Sequence, residues 1–411
     1  MQKNPLRVQE KVLFDILKEN KNTEYGKAYS FSGIKTIRAY QKKLPQITYP
    51  DIARRVERIK EKGEQGIFTR DKVLFFATTS GTTSEPKYIP ITKKRMQLFK
   101  KEFSLWFFFA MKNYRHAAKG KMLYFAANQL NGQTKSGIPH GNISGYVTYN
   151  APWFVQQKLV IDAQLNNEFD FDKKTRKIAY KSILSDVTQL AFASPIQGLI
   201  FIDYLEKNKK SIVKKLKKEG HEKRAKKLEQ LIEKDLFNPA HIWPKLSLIQ
   251  CIKSETHALY LEQLIEAIGK ELPIRDPGIY SSEGRLTLGL THHDAAGVLC
   301  ANENFFEFKE YKKGTFCKTI TIDRSRKGKV YQVMMTTPEG LYRYNIGDMV
   351  KVVDFKGKLP IVKFTGRDKF LNIAEEHAPE NEIIKAAEEA IEHMNIEAKG
   401  YTVAPYLADL H

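Results

Sequence analysis

Phe75-Phe76-Ala77-Thr78-Thr79-Ser80-Gly81-Thr82-Thr83-Ser84-Glu85-Pro86-Lys87 is the stretch on which the reading of the chain turns. Residues 73–77 form an apolar, β-prone run, and the seven that follow are all hydroxylated or small. A strand feeding such a loop offers backbone N–H groups and hydroxyls to a single anion. Gly81 allows close backbone approach, and Lys87 adds a positive charge nearby. A loop of the Gly-Lys-Ser/Thr type is excluded, because Pro86 stands where its glycine belongs. Ordinary turns use the same residues, so the stretch alone supports either a phosphate loop or a turn.

The rest of the chain must decide. Its 411 residues are enough for one large or two to three modest domains, and a 42% hydrophobic content supports a sizeable core. The N-terminal residues are polar, with apolar positions at helical spacing, which does not read as a signal peptide. The densest apolar run, residues 103–111, is half the length of a membrane span and is expected in a buried helix. Cys251, Cys300 and Cys317 fit neither a disulfide framework nor a metal site, so a reducing cytoplasm is expected. The net charge is +21. That suits either an enzyme for anionic substrates or a nucleic-acid binder. Many of the lysines fall in residues 204–234, among glutamates and periodic apolar positions. The spacing predicts two amphipathic helices broken near Gly220, with the lysines on solvated faces.

Residues 4–20, 37–44, 51–61, 93–114 and 379–394 read as helices, and residues 22–27 and 137–145 as loops. Strands are expected at residues 121–127, 246–251 and 274–280, with a helix at 256–269, and residues 186–193 read as a short helix or strand. That alternation argues for an α/β arrangement with a largely parallel sheet. From about residue 287 to 365, apolar and polar residues alternate between Gly-containing turns, which predicts an antiparallel, barrel-like β-region.

Three more stretches can carry chemistry. In Gly278-Ile279-Tyr280-Ser281-Ser282-Glu283-Gly284, the tyrosine can stack on a base, the serines can bond phosphate or base edges, and Glu283 can hold Mg²⁺. A capped polar turn looks the same. In Gly340-Leu341-Tyr342-Arg343-Tyr344-Asn345-Ile346-Gly347-Asp348, Asp348 is a candidate for ribose hydroxyls, or part of a hairpin turn. Thr365-Gly366-Arg367-Asp368-Lys369-Phe370 is a hinge or a solvated turn. His292-His293-Asp294 reads as a surface turn, since adjacent strand histidines face opposite ways.

Taken in order, these motifs resemble those of the adenylate-forming ligase superfamily. Within it they look most like the auxin-responsive Gretchen Hagen family of acyl-acid amido synthetases and its microbial relatives. The resemblance runs through the residue 80–87 loop, Tyr280-Ser281-Ser282-Glu283, the segment 336–352 and residues 364–376. Asn22-Thr23-Glu24-Tyr25-Gly26 and the loop 138–145 are also similar, so it covers nearly the whole chain. It implies a large N-terminal adenylating domain, residues 1–365, then a hinge and the start of a small α+β domain, residues 366–411. It implies that ATP activates a carboxylic acid as an acyl-adenylate, which an amine, usually an amino acid, then attacks. Ser80, Gly81, Thr82, Thr83 and Ser84 would cradle phosphates with Lys87 nearby. Tyr280, Ser281 and Ser282 would sit at adenine and α-phosphate, and Glu283 would hold Mg²⁺. Asp348 would take the ribose, and Arg367 and His377 would act from the hinge. A monomer with small-molecule partners is expected, without membrane or nucleic acid.

The sequence departs from the family in places. Ser84 stands where many members have glycine, and Glu375-Glu376-His377 replaces a lysine ending. Only 44 residues follow Arg367, so the small domain is expected to be incomplete and to lack its late lysine. An acyl-CoA ligase of the same superfamily and a non-catalytic nucleotide or nucleic-acid binder are the alternatives.

Overall fold

The computed structural model describes residues 3–79, 86–253, 258–289, 295–312, 315–367, 370–373 and 376–394. The three largest sheets among the described residues, each with its own apolar core, contribute to one cavity.

The first sheet grows from the opening stretch. Val73–Thr79 runs antiparallel to Lys87–Thr92, with Thr79 opposite Lys87, and parallel to Pro139–Gly141. Phe75, Phe76, Ala77, Ile89 and Ile91 are fully buried against the N-terminal helices. The first of these, Pro5–Asn20, starts on Asn4, whose side chain accepts from the Arg7 N–H, and it buries Leu13, Ile16 and Leu17. Two segments expected to be loops are not. Residues 22–27 contain the helix Glu24–Ala28, capped by Thr23, whose Tyr25 ring stacks on Tyr342 at 5.1 Å. Residues 137–145 contain the strand Pro139–Gly141 and the start of the helix Ile143–Tyr149. A Cβ at Gly141 would lie 2.1 Å from the Gln129 carbonyl oxygen, so this glycine permits packing rather than flexibility.

The second sheet is wholly parallel. Its strands are Lys121–Tyr124, Val187–Ala191, Leu248–Gln250 and Ile274–Arg275, in that order. Val187–Ala191, ambiguous by sequence, is buried at every residue, as parallel strands covered on both faces are. The lysine-rich region forms the helices Pro195–Lys218 and Glu222–Glu233, separated at Gly220 with φ +81°. Leu205, Ile212, Val213, Leu216, Ala225 and Leu228 face the core, and the exposed Lys207, Lys215 and Lys217 and the partly buried Lys209 pair with neighbouring carboxylates.

The third sheet has seven antiparallel strands running from Thr287–Leu288 at one edge to Thr315–Thr321 at the other. Among the described residues these edges do not pair, so the expected barrel-like region is an open sheet. The aromatic run 103–111 also differs from expectation. The helix Lys93–Asn113 buries only the stripe of Arg95, Met96, Phe99, Glu102, Trp106 and Ala110, while Leu105 and Phe108 face outward. Consecutive apolar residues cannot all share one face at 3.6 residues per turn. No helix among the described residues is long and apolar enough to cross a membrane.

Candidate functional site

The carboxyl ends of parallel strands are where α/β sheets bind ligands. Tyr124, Ala191 and Gln250, each the last residue of its strand, line a cavity of about 740 Å³, as does Asp276 just beyond the fourth. Thr79 and Lys87 reach it from the first sheet, and Asp348, Phe364 and Arg367 from the third. Thr79, the last residue of its strand, and Lys87, the first of the next, therefore both stand at the cavity.

Of the residues singled out by sequence, Lys87, Tyr280, Ser281, Ser282, Glu283, Asp348 and Arg367 all line this one space. Ser80, Gly81, Thr82, Thr83 and Ser84 lie outside the described residues, as does the 292–294 turn. His377 lies in the strand Glu376–Pro379, opposite Asn372 of Phe370–Ile373.

A tight ribbon presents the second motif. Tyr280–Ser281 pairs with Gly284–Arg285, leaving Ser282 and Glu283 as its two-residue turn. The Ser281 hydroxyl donates to the Gly284 carbonyl at 3.0 Å. Gly278 begins the ribbon with φ +87°, and a Cβ there would lie 2.5 Å from the Thr287 carbonyl oxygen. Asp276 accepts from the Gly278 and Lys253 N–H groups at 2.6 and 2.7 Å. The Tyr280 ring meets Phe99 edge-on at 5.3 Å and has the Arg285 guanidinium 5.1 Å from its centre.

Burial pushes the Glu283 carboxyl above its ordinary range, while hydrogen bonds and the charges of Lys87 and Arg367 pull it back. A buried carboxylate beside two hydroxyls is a hard-oxygen donor set. Mg²⁺ typically takes one or two carboxylates together with phosphates and water, so the residues present fit that ion. No group of three or more His, Cys, Asp or Glu side chains placed to hold a metal ion occurs among the described residues.

Asp348, a ribose candidate or part of a hairpin turn by sequence, lies within the long strand Tyr344–Lys356, just after Gly347 with φ +81°. Arg367 sits opposite it on the strand Leu359–Arg367, with Nε 3.4 Å from Oδ1. Asp348 is buried and Arg367 is half exposed, so the pair bridges the cavity wall and solvent.

Apolar side chains also line the cavity, among them Phe99, Phe103, Trp106, Met122, Val147 and Phe192. The cavity therefore offers charged, hydroxyl and apolar surface to whatever it holds. Sequence reasoning missed a further wall, residues 48–50. These looked like a separator between helices. They arrive through the bridge of Ile47 with Tyr344, almost three hundred residues apart, which no local pattern announces.

The chain matches the GH3 family N-terminal domain over residues 1–274 and the GH3 family central domain over residues 297–367. It is 25% identical to the indole-3-acetic acid-amido synthetase GH3.2 of Arabidopsis thaliana, over 95% of this chain and 79% of that protein. It is 23% identical to a jasmonoyl–L-amino acid synthetase of Nicotiana attenuata, over 89% of this chain and 70% of that one. Among solved structures, the GH3.15 acyl acid amido synthetase superposes with a TM-score of 0.82 at 23% identity, covering 96% of this chain and 75% of that one. A 2-hydroxyisobutyryl-CoA ligase shares the fold more distantly, with a TM-score of 0.51 at 12% identity over 92% and 79% of the two chains. The first of the two family matches alone takes in more than half of the sequence, and together they cover most of it: this chain belongs to the GH3 family.

Proposed function

We propose that the chain is an ATP-dependent ligase that activates a carboxylic acid as its acyl-adenylate and passes the acyl group to an amine, an amino acid in the first instance. The carrying observation is the convergence of Lys87, Tyr280, Ser281, Ser282, Glu283, Asp348 and Arg367, chosen from four separate stretches, on one cavity that is also lined by apolar side chains. Membership of the GH3 family and the amido-synthetase relatives support the same reading.

In this reading Asp348 accepts from the ribose hydroxyls, and Arg367 holds that carboxylate in place from the next strand. Tyr280 forms a face for the adenine. Lys87 offsets phosphate charge at the end of the Ser80–Ser84 loop, and Ser282 donates toward the α-phosphate, with Ser281 beside it and its hydroxyl bracing the turn. Glu283 would hold Mg²⁺, which when bound neutralises phosphate charge. The acid lies with its apolar body among Phe99, Phe103 and Trp106. Its carboxylate attacks the α-phosphorus and pyrophosphate leaves, so that a poor leaving group becomes AMP, a good one. Preorganised positive charge around the pentavalent phosphate supplies most of the acceleration of this step. The amine then attacks the acyl carbon and expels AMP, a step served chiefly by orientation. We read residues 1–365 as the adenylating unit and 366–411 as the hinge and start of the small domain, with His377 in the hinge region near the phosphates. The compartment proposed is the cytoplasm and the working unit a monomer.

Pyrophosphate exchange across a panel of carboxylic acids, followed by mass spectrometry of products formed with mixed amino acids, tests the reading. Amide products are expected. Thioesters with CoA, in place of amides, would move the assignment to an acyl-CoA ligase.

A further inference from the structure

Among the described residues only Ser30, Asp235 and Arg343 are non-glycine residues with positive φ, and of these only Arg343, at +49°, is buried. A bulky side chain in that region persists only where its surroundings over-determine it. Here they do. The Arg343 guanidinium donates from Nε to Glu307 Oε2 at 3.0 Å and from Nη2 to Oε1 at 3.1 Å. Its Nη1 donates to the Gln41 and Leu44 carbonyls at 2.8 and 2.7 Å, capturing the end of the helix Ile37–Lys43. Glu307 is 1% exposed, lies on the strand Phe305–Lys312 and also accepts from the Gln41 amide at 2.9 Å.

The backbone around Arg343 is held as firmly. The Ile47 N–H donates to the Arg343 carbonyl at 3.2 Å, and the Asn345 N–H returns to the Ile47 carbonyl at 2.8 Å. One residue beyond Ile47 the chain becomes the wall 48–50. Two residues beyond Arg343 it becomes the wall 345–348, which ends in Asp348. One side chain thus ties together the third sheet and both backbone segments that frame this end of the cavity.

We propose that Arg343 is a positioning residue. Its fork on Glu307 and on the Gln41 and Leu44 carbonyls sets the spacing of walls 48–50 and 345–348, and so places Asp348 for the nucleotide. This rests on the ATP reading above. Arg343 touches no substrate. It acts through Asp348, and its planar five-donor fork cannot be reproduced by an ammonium.

The test is ATP binding by titration calorimetry with Mg²⁺, alongside thermal melting. Arg343→Met with Glu307→Met removes both charges at once, so no lone buried charge remains to unfold the protein. The double variant is expected to melt as a folded protein and to bind ATP about tenfold more weakly, with Arg343→Lys in between. Wild-type affinity in the folded double variant overturns the inference, because a purely structural role would move only the melting temperature. If the double variant does not fold, Arg343→Lys carries the test, and unchanged ATP affinity in it is then the contrary result. Absence of ATP binding by the wild-type chain overturns the underlying nucleotide reading together with this one.

Discussion

Asp348 and Arg367 face one another across neighbouring antiparallel strands, with Nε 3.4 Å from Oδ1 and only the arginine open to solvent. Arg367 is the last residue of the strand that leads out of the third sheet, and Asp348 forms the wall of the cavity. A single ion pair therefore joins the place proposed for the ribose with the place where the chain leaves the third sheet for the proposed hinge.

Asp348→Asn keeps the shape of the side chain and removes its charge. Hydrogen bonds to a charged group are worth about 1.5–3 kcal/mol, so the KM for ATP should rise about tenfold to a hundredfold. The melting temperature should change little, because Arg367 remains half exposed to water. Steady-state kinetics with ATP varied at saturating acid checks it. An unchanged KM would remove Asp348 from the nucleotide site.

Glu283 must be ionised to hold Mg²⁺, and burial raises its carboxyl above the ordinary value of 4.5. Activity should therefore fall as pH drops through a value above 4.5. Protons and metal compete for the same oxygens. Raising Mg²⁺ should move that acid limb to lower pH in the wild type, and Glu283→Gln should abolish the movement. An acid limb insensitive to Mg²⁺ in the wild type would sever Glu283 from the metal.

The three sheets and the cavity they enclose were legible in the sequence to different degrees. The parallel sheet follows from short apolar runs such as Leu248–Gln250, each placed against a helix pattern. The antiparallel sheet follows from alternation such as Phe305–Lys312. Tyr280 to Glu283 and Asp348 were legible because residue type and local spacing carry their chemistry. Residues 48–50 and Arg285 were not, since their place at the cavity depends on contacts distant in sequence. Tyr25 illustrates the converse. Its motif was legible only as part of the family resemblance, and the structure gives it a packing role: the ring stacks on Tyr342, and Gly26 is required because a Cβ would lie 2.1 Å from the Asn20 carbonyl oxygen.

Glu102 supplies a stability signature independent of activity. Burial, with Glu303 beside it, pushes its carboxyl up to about 9, against the ordinary 4.5. Between those values the folded chain keeps a proton that the unfolded chain has released. Unfolding then releases a proton, so rising pH favours unfolding in that window. The slope is at most about 1.4 kcal/mol per pH unit for one group. Glu102→Gln keeps a neutral side chain throughout and should flatten this part of the profile. Melting curves between pH 6 and 9 check it, and equal slopes in the two proteins would be the contrary result.

Acid-dependent exchange of labelled pyrophosphate into ATP tests the central claim most directly. The wild-type chain should exchange with at least one acid whose apolar body suits the wall of Phe99, Phe103 and Trp106. Ser80→Ala with Thr82→Ala should lower that exchange while leaving the melting temperature in place, since loop hydroxyls contribute little to a core. Exchange undiminished in that folded double variant would show the opening loop to be a turn. No acid-dependent exchange by the wild type would contradict adenylation itself.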